Sequence, residues 1–141
     1  MAGTTVKSIF VKDNQYQSLL CDNAVTLGNC VQFTTTGTDT CDVGAANQVF
    51  AGVAVSGDRY SRTQTDDSIA AGAKVTVCRR GIVHVYTGTS TIVRGSFLEM
   101  GASGVVELAG TAGTATDVKD VIGIALDGNS GAAATIRMLM L

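Results

Sequence analysis

Two segments of this chain, 71 positions apart, read nearly alike. Val49 to Asp58 is VFAGVAVSGD, and Asp120 to Asn129 is DVIGIALDGN. Gly52 falls on Gly123, Ala54 on Ala125 and Gly57 on Gly128, with Val53 matching Ile124 and Val55 matching Leu126. Three other stretches share the pattern apolar-x-x-Gly-x-x-apolar, at Val25–Val31, Ile69–Val75 and Ile92–Leu98. Glycine reaches positive φ at no steric cost, so each stretch is expected to be a tight turn feeding a strand. Gly28 and Gly95 are 67 apart rather than 71, so the two copies carry loops of unequal length. Those loops are TTTGTDTCDVGAANQ and AGTAGTATDVK, both rich in Thr, Gly and Ala. A chain with this pattern must build one short sheet twice. The expected halves are residues 24–87 and 90–141, with residues 1–23 left outside the repeat.

Within the halves, apolar residues alternate instead of recurring at helical spacing, which predicts strands. Val75 and Val77 set one phase in AKVTVCRRGIVHVYTG, and Val83 and Val85 continue it with Ile82 on the opposite phase; Arg79-Arg80-Gly81 interrupts the run as a bulge or tight turn would. Val105 to Leu108 is a further short strand. The ending AATIRMLML reads as a last strand buried on both faces. No stretch makes a helix of more than two turns; DDSIAAGAKV is expected to give one turn, capped by Asp66 or Asp67 and ended by Gly72. The expected class is therefore all-β, a compact barrel of short strands. Residues 1–23 precede it as an extended arm carrying Ile9, Phe10, Val11, Tyr16, Leu19 and Leu20. Such an arm must pack on its own barrel, on a neighbouring subunit or on another protein, and addition to a sheet edge is a common mode.

The residues that could carry chemistry are few. Ten basic against 12 acidic residues give a net charge of −2, with no basic face for phosphate neutralisation, so nucleic acid is not an expected partner. No apolar run approaches the length of a membrane span, and no secretory leader is expected at the start. Cys21, Cys30, Cys41 and Cys78 contain no C-x-x-C pair, and with the single histidine, His84, they make no zinc pattern. Buried free thiols are the expectation; if two were to bridge, Cys30 and Cys41 are the easiest pair by spacing. Asp39 and Asp42 lack the ligand spacing of a calcium loop. His84 lies mid-strand and reads as a structural or surface residue. Gly52 to Gly57 is G-x-x-x-x-G without a following Lys or helix, so it is read as sheet, not as a phosphate cradle. Two glutamates, Glu99 and Glu107, complete the poor acid–base inventory, and neither an enzyme nor a cofactor or metal site is expected. The stretch DRYSRTQTDD has two readings, a solvated loop or a protein contact in which Arg59, Tyr60 and Arg62 are the anchors. Charged residues are only 16% of the chain, so its surface is built of Thr, Ser and Ala; that composition fits a protein covered by partners.

The segments AVTLGNCVQF, VFAGVAVSGD, DSIAAGAKVTVCRRGIVHV and DVIGIALDGNSGAAATIRML together resemble the small capsid-decoration, or cement, proteins of tailed double-stranded DNA viruses. The shared features fall on Ala24 to Val31, Gly52 to Ala54 and Ile69 to Val83, and the resemblance covers residues 24–141. Four cysteines and the absence of proline depart from the family pattern. The resemblance implies a β-barrel or β-tulip subunit, a homotrimer, seated on the outer surface of the expanded capsid and bridging major capsid protein subunits. Under that expectation Ile9, Phe10, Val11, Tyr16, Arg59, Tyr60 and Arg62 are the contact residues, with the capsid or between subunits. The alternative is a virion fibre or tail-associated β module that binds a receptor or glycan, although aromatics are only 5% of the chain.

Overall fold

The structure is a computed structural model that describes residues 15–57, 68–110 and 121–141. Its strands are β1 (Gln15–Cys21), β2 (Val25–Thr26), β3 (Cys30–Phe33), β4 (Thr40–Val43), β5 (Phe50–Ser56), β6 (Ser68–Ile69), β7 (Lys74–Arg80), β8 (Ile82–Tyr86), β9 (Phe97–Met100), β10 (Val106–Leu108), β11 (Gly123–Ala125) and β12 (Thr135–Met140). The helical content of the described residues is one 3-10 turn at Ala102–Gly104. The all-β expectation holds. The turn after β6 has Gly72 at φ +82° and is a chain reversal, where a turn of helix was expected.

β1, β4, β3, β5 and β7 close into a barrel in that order; β10, β9, β11, β12 and β8 form a second five-stranded sheet. The two share one connectivity. In the barrel every neighbouring pair is antiparallel except β1 with β4. In the second sheet every pair is antiparallel, and its ends approach through one parallel bridge, Thr87 with Val106. β8 thus takes the place of β1, β9 of β3, β10 of β4, β11 of β5 and β12 of β7. The same backbone hydrogen bonds tie both. The Gly28 amide donates to the Ala54 carbonyl (2.8 Å) and the Gly95 amide to that of Ala125 (2.7 Å); the Ala54 amide donates to Asn29 and the Ala125 amide to Ser96, both at 2.9 Å. Gly28 and Gly95 sit at φ +93° and +90°, as their turns require.

The sheets do not divide at the boundaries expected from sequence. β1 lies within residues 1–23, yet it is a barrel strand paired on both sides; β8 lies within 24–87, yet it pairs with β12. The division falls at Gly81 (φ +117°), which joins β7 to β8 just after the register shift opposite Gln15 and Tyr16. The interruption read at Arg79-Arg80-Gly81 is therefore the corner at which the chain leaves one sheet for the other.

Two cores result. Inside the barrel lie Leu19, Cys21, Val25, Val31, Cys41, Ala51, Ala54, Ile69, Val75 and Val77. Between the sheets, Cys30, Val53 and Cys78 form a row across β3, β5 and β7 and pack against Val83, Val85, Leu98, Val106, Ile136 and Met138. β5 is apolar on both faces because one meets the barrel interior and the other meets the second sheet. β12 is not buried on both faces: Ile136, Met138 and Met140 point inward while Thr135, Arg137 and Leu139 are exposed.

Gly52 and Gly123, the residues that first revealed the repeat, are required by close packing. A Cβ on Gly52 would lie 2.5 Å from the Cys78 carbonyl oxygen, and one on Gly123 would lie 2.5 Å from Met138 Cγ. Gly95 faces open space. Gly52→Ala adds a backbone clash to a disfavoured φ and should cost roughly 2–5 kcal/mol. Gly95→Ala carries the backbone term alone, roughly 1–2 kcal/mol. Urea unfolding midpoints of the two variants check the order.

Candidate interaction surface

An antiparallel sheet with one face on the core should present polar side chains on the other. The second sheet does so only in part: His84, Thr135 and Arg137 face outward, but apolar side chains do as well. Pairing sets Phe97 on β9 beside Ile124 on β11, Ile124 beside Leu139 on β12, and Leu139 beside Ile82 on β8. Phe97 is 56% exposed, Leu139 38% and Ile82 52%, with Ile124 half-buried between them. Four apolar side chains thus form one row across four strands. Leu141 is also exposed at the chain end. A contiguous apolar row on an outer face marks a surface that another molecule covers.

Charge borders the row one step along the strands. Arg137 pairs across the sheet with His84 and holds Asp127, its Nε and Nη2 donating to the two carboxylate oxygens at 2.9 and 2.8 Å. This bidentate bond, with a third from the Arg137 amide, keeps the Asp127 carboxyl well below the usual carboxylate range. The pair is solvent-exposed, so it fixes orientation more than it stabilises the fold.

At its Ile82 end the row runs into a groove of about 400 Å³, lined among others by Tyr16, Leu27, Val55, His84 and Tyr86. The Tyr86 amide donates to the Gly28 carbonyl, and both residues line the groove. Tyr16 is the one expected contact residue among those the structure describes; it is exposed on β1 and lines this groove. Ile9, Phe10, Val11, Arg59, Tyr60 and Arg62 lie outside the described residues. Arg79 lies over the Phe33 ring at 5.4 Å and donates to Gln17, so it is held against the barrel wall, and Arg80 is exposed.

The two glutamates face each other on β9 and β10. Glu99 is buried; the Glu107 carboxylate accepts from the Ser90 hydroxyl. Asn129 donates to the Ser90 carbonyl and to Thr87 Oγ1, and its own oxygen accepts from the Ile92 amide. These bonds pin the segment between β8 and β9 to the sheet, which is a structural use of the polar groups. Among the described residues no cluster of three or more His, Cys, Asp or Glu side chains is placed to hold a metal ion. All four cysteines are buried and free.

Sequence reasoning misses Phe97, Ile124 and Leu139. The signal for Leu139 is the MLML ending, where both strand phases are apolar, a pattern that two-sided burial would also produce. An apolar residue on the wrong phase of a strand means a second covered face, and the chain alone does not say whether that cover is internal.

The fold is a closed β-barrel with a second five-stranded sheet that carries an apolar row on its outer face. The family described as "Structural cement protein (E217 gp24/Pam3 gp6)" of phages matches residues 7–139, and the chain belongs to it. Among solved structures it is similar to the N base of head fiber gp8.5 of bacteriophage phi29, with TM-score 0.61 and 15% identity over 91% of this chain and 94% of that one. The likeness is one of fold. No curated relative matches. The protein is thus a structural component of a phage capsid, as the resemblance in its turns and strands implied.

The Asp127–Arg137 bond gives a direct check. A carboxyl with a lowered pKa contributes its stabilisation above the unfolded value of about 3.9 and loses it as pH falls toward the folded value. An NMR titration of Asp127 should place its midpoint below about 3.9, and Arg137→Gln should return it to roughly 3.9.

Proposed function

We propose that this protein binds the outer surface of the expanded capsid, bridges neighbouring major capsid protein subunits, and does so as a homotrimer. The observation that carries this reading is the apolar row Phe97–Ile124–Leu139–Ile82 on a chain of the cement family. A free subunit gains nothing from exposing four apolar neighbours in line. Seated on a capsid subunit, they leave water and contribute at roughly 25 cal/mol per Å² before the cost of association. A trimer multiplies such contacts, so weak individual sites hold together against separation of the shell. The bidentate Asp127–Arg137 pair borders the row and supplies directional polar contacts at its rim.

The N-terminal residues and residues 59–62 extend this contact in the same reading. Ile9, Phe10 and Val11 precede Tyr16 at the groove, and Arg59, Tyr60 and Arg62 follow β5. They reach a second capsid subunit or a neighbouring copy, which makes the subunit a bridge. The protein works without a catalytic step, nucleic acid or membrane, on the virion surface after synthesis in the host cytoplasm. A second reading, a fibre-base module, draws support from the fold shared with the head fiber N base.

Co-sedimentation with expanded capsids that lack the protein tests the first reading. The double variant Phe97→Asp/Leu139→Asp should stay folded by circular dichroism and lose at least about 100-fold in capsid affinity. A variant that pellets like the parent overturns the assigned face. One that becomes monomeric by light scattering moves the row to the copy–copy interface. Deletion of residues 2–14 leaves β1 intact, and should abolish capsid binding without changing the unfolding midpoint. Unchanged binding removes the arm from the bridge.

A further inference from the structure

The four buried cysteines divide into two pairs of different geometry. Cys30 and Cys78 belong to the core between the sheets, and each pairs across its strand boundary with Val53, so a whole strand stands between them. Two strand spacings are about 9.6 Å, beyond the Cα separation a disulfide spans. Cys21 and Cys41 are different. They are in register on adjacent strands, β1 and β4, and both point into the barrel interior. One strand spacing, about 4.8 Å, lies within disulfide range. The spacing of the sequence favoured Cys30 with Cys41, but these residues face opposite sides of the barrel wall, one in each core.

The position of the pair gives it a consequence. Parallel pairing of β1 with β4 closes the barrel, and the closure consists of two residue pairs, Leu20 with Thr40 and Cys21 with Cys41. Every other seam of the barrel is antiparallel and at least three pairs long. A seam two residues wide is where local opening is easiest, and opening it exposes both thiols together. We propose that Cys21 and Cys41 are a thiol–disulfide site which, once oxidised by a small-molecule disulfide of the oxidised-glutathione class, covalently locks the barrel.

The reaction runs in two exchanges. The Cys21 thiolate attacks one sulfur of the small disulfide, forms a mixed disulfide and expels one thiolate. The Cys41 thiolate then attacks Cys21 Sγ, forms the protein disulfide and expels the second thiolate. Both expelled thiolates take up the protons the cysteines gave to solvent, so two protein thiols are oxidised and one small disulfide becomes two thiols. The order follows from the contact between the thiols: Cys41 hydrogen-bonds to the Cys21 sulfur, lowering the Cys21 pKa and raising that of Cys41. Cys30 is pushed up to about 12 by burial alone and stays inert.

The test uses the full chain, reduced and then incubated with oxidised glutathione near pH 8. Cleavage before aspartates separates the candidates, because Asp13, Asp22, Asp39 and Asp42 put Cys21, Cys30 and Cys41 on three different peptides. The expected result is a loss of about 2 Da without bound glutathione and a Cys21–Cys41 linked peptide. The thermal midpoint should rise on the order of 10 °C and fall back on reduction. The Cys30→Ala/Cys78→Ala variant, which keeps only Cys21 and Cys41, should behave the same way. No mass loss in either protein, a bridge between another pair or between chains, or a bridge that leaves the midpoint unchanged overturns the proposal.

Discussion

The contact between the barrel wall and the second sheet is the constraint on which the rest depends. Cys30, Val53 and Cys78 stand in one row on the outside of β3, β5 and β7. Outside an isolated barrel they would meet water. Here Val83, Val85, Leu98 and Met138 cover them. The same three strands must also fill the barrel, with Val31, Ala51 and Val75 among the residues that do so. Strands apolar on both faces leave the chain no stable one-sheet state, so Gly81 turns it at the end of β7 and lays the second sheet over the first. Small residues make the approach close: a Cβ on Gly44 would lie 2.4 Å from Met100 Sδ across this contact.

Much of this is legible in the residues. Positive φ at Gly28, Gly72 and Gly95 follows from the apolar-x-x-Gly-x-x-apolar stretches, and the interruption at Arg79–Gly81 is the corner itself. The free, buried state of the cysteines is expected as well. Partner choice is less legible, because alternation says which residues share a face and not which strand lies beside them. β1 sits in a segment without an obvious counterpart, yet its counterpart is β8, whose sequence resembles it only in alternation. For the same reason Leu139 reads as core from the sequence. Its neighbours Met138 and Met140 are buried, and only the pairing with Ile82 and Ile124 shows that its own side faces out.

The interaction surface follows from the unequal fates of two matching sheets. We read them as a duplicated unit, since the amide bonds at Gly28–Ala54 and Gly95–Ala125 recur at equivalent places. The first sheet curls shut and hides an apolar face in its interior. The second, whose end strands meet only at a single bridge between Thr87 and Val106, keeps one face on the core and one outward. In the first copy the row equivalent to Phe97, Ile124 and Leu139 is Cys30, Val53 and Cys78, which the second sheet covers; in the second sheet the same row faces outward and this chain supplies no cover. On a chain of the cement family, we propose, the capsid supplies that cover.

A cryo-electron microscopy reconstruction of expanded capsids carrying the protein measures this most directly. The expected particle has the outer face of the second sheet against the major capsid protein, with Phe97, Ile124, Leu139 and Ile82 removed from solvent and each trimer spanning a boundary between capsid subunits. A particle in which those four side chains face solvent, while another surface of the barrel meets the shell, would contradict the proposed mode of binding.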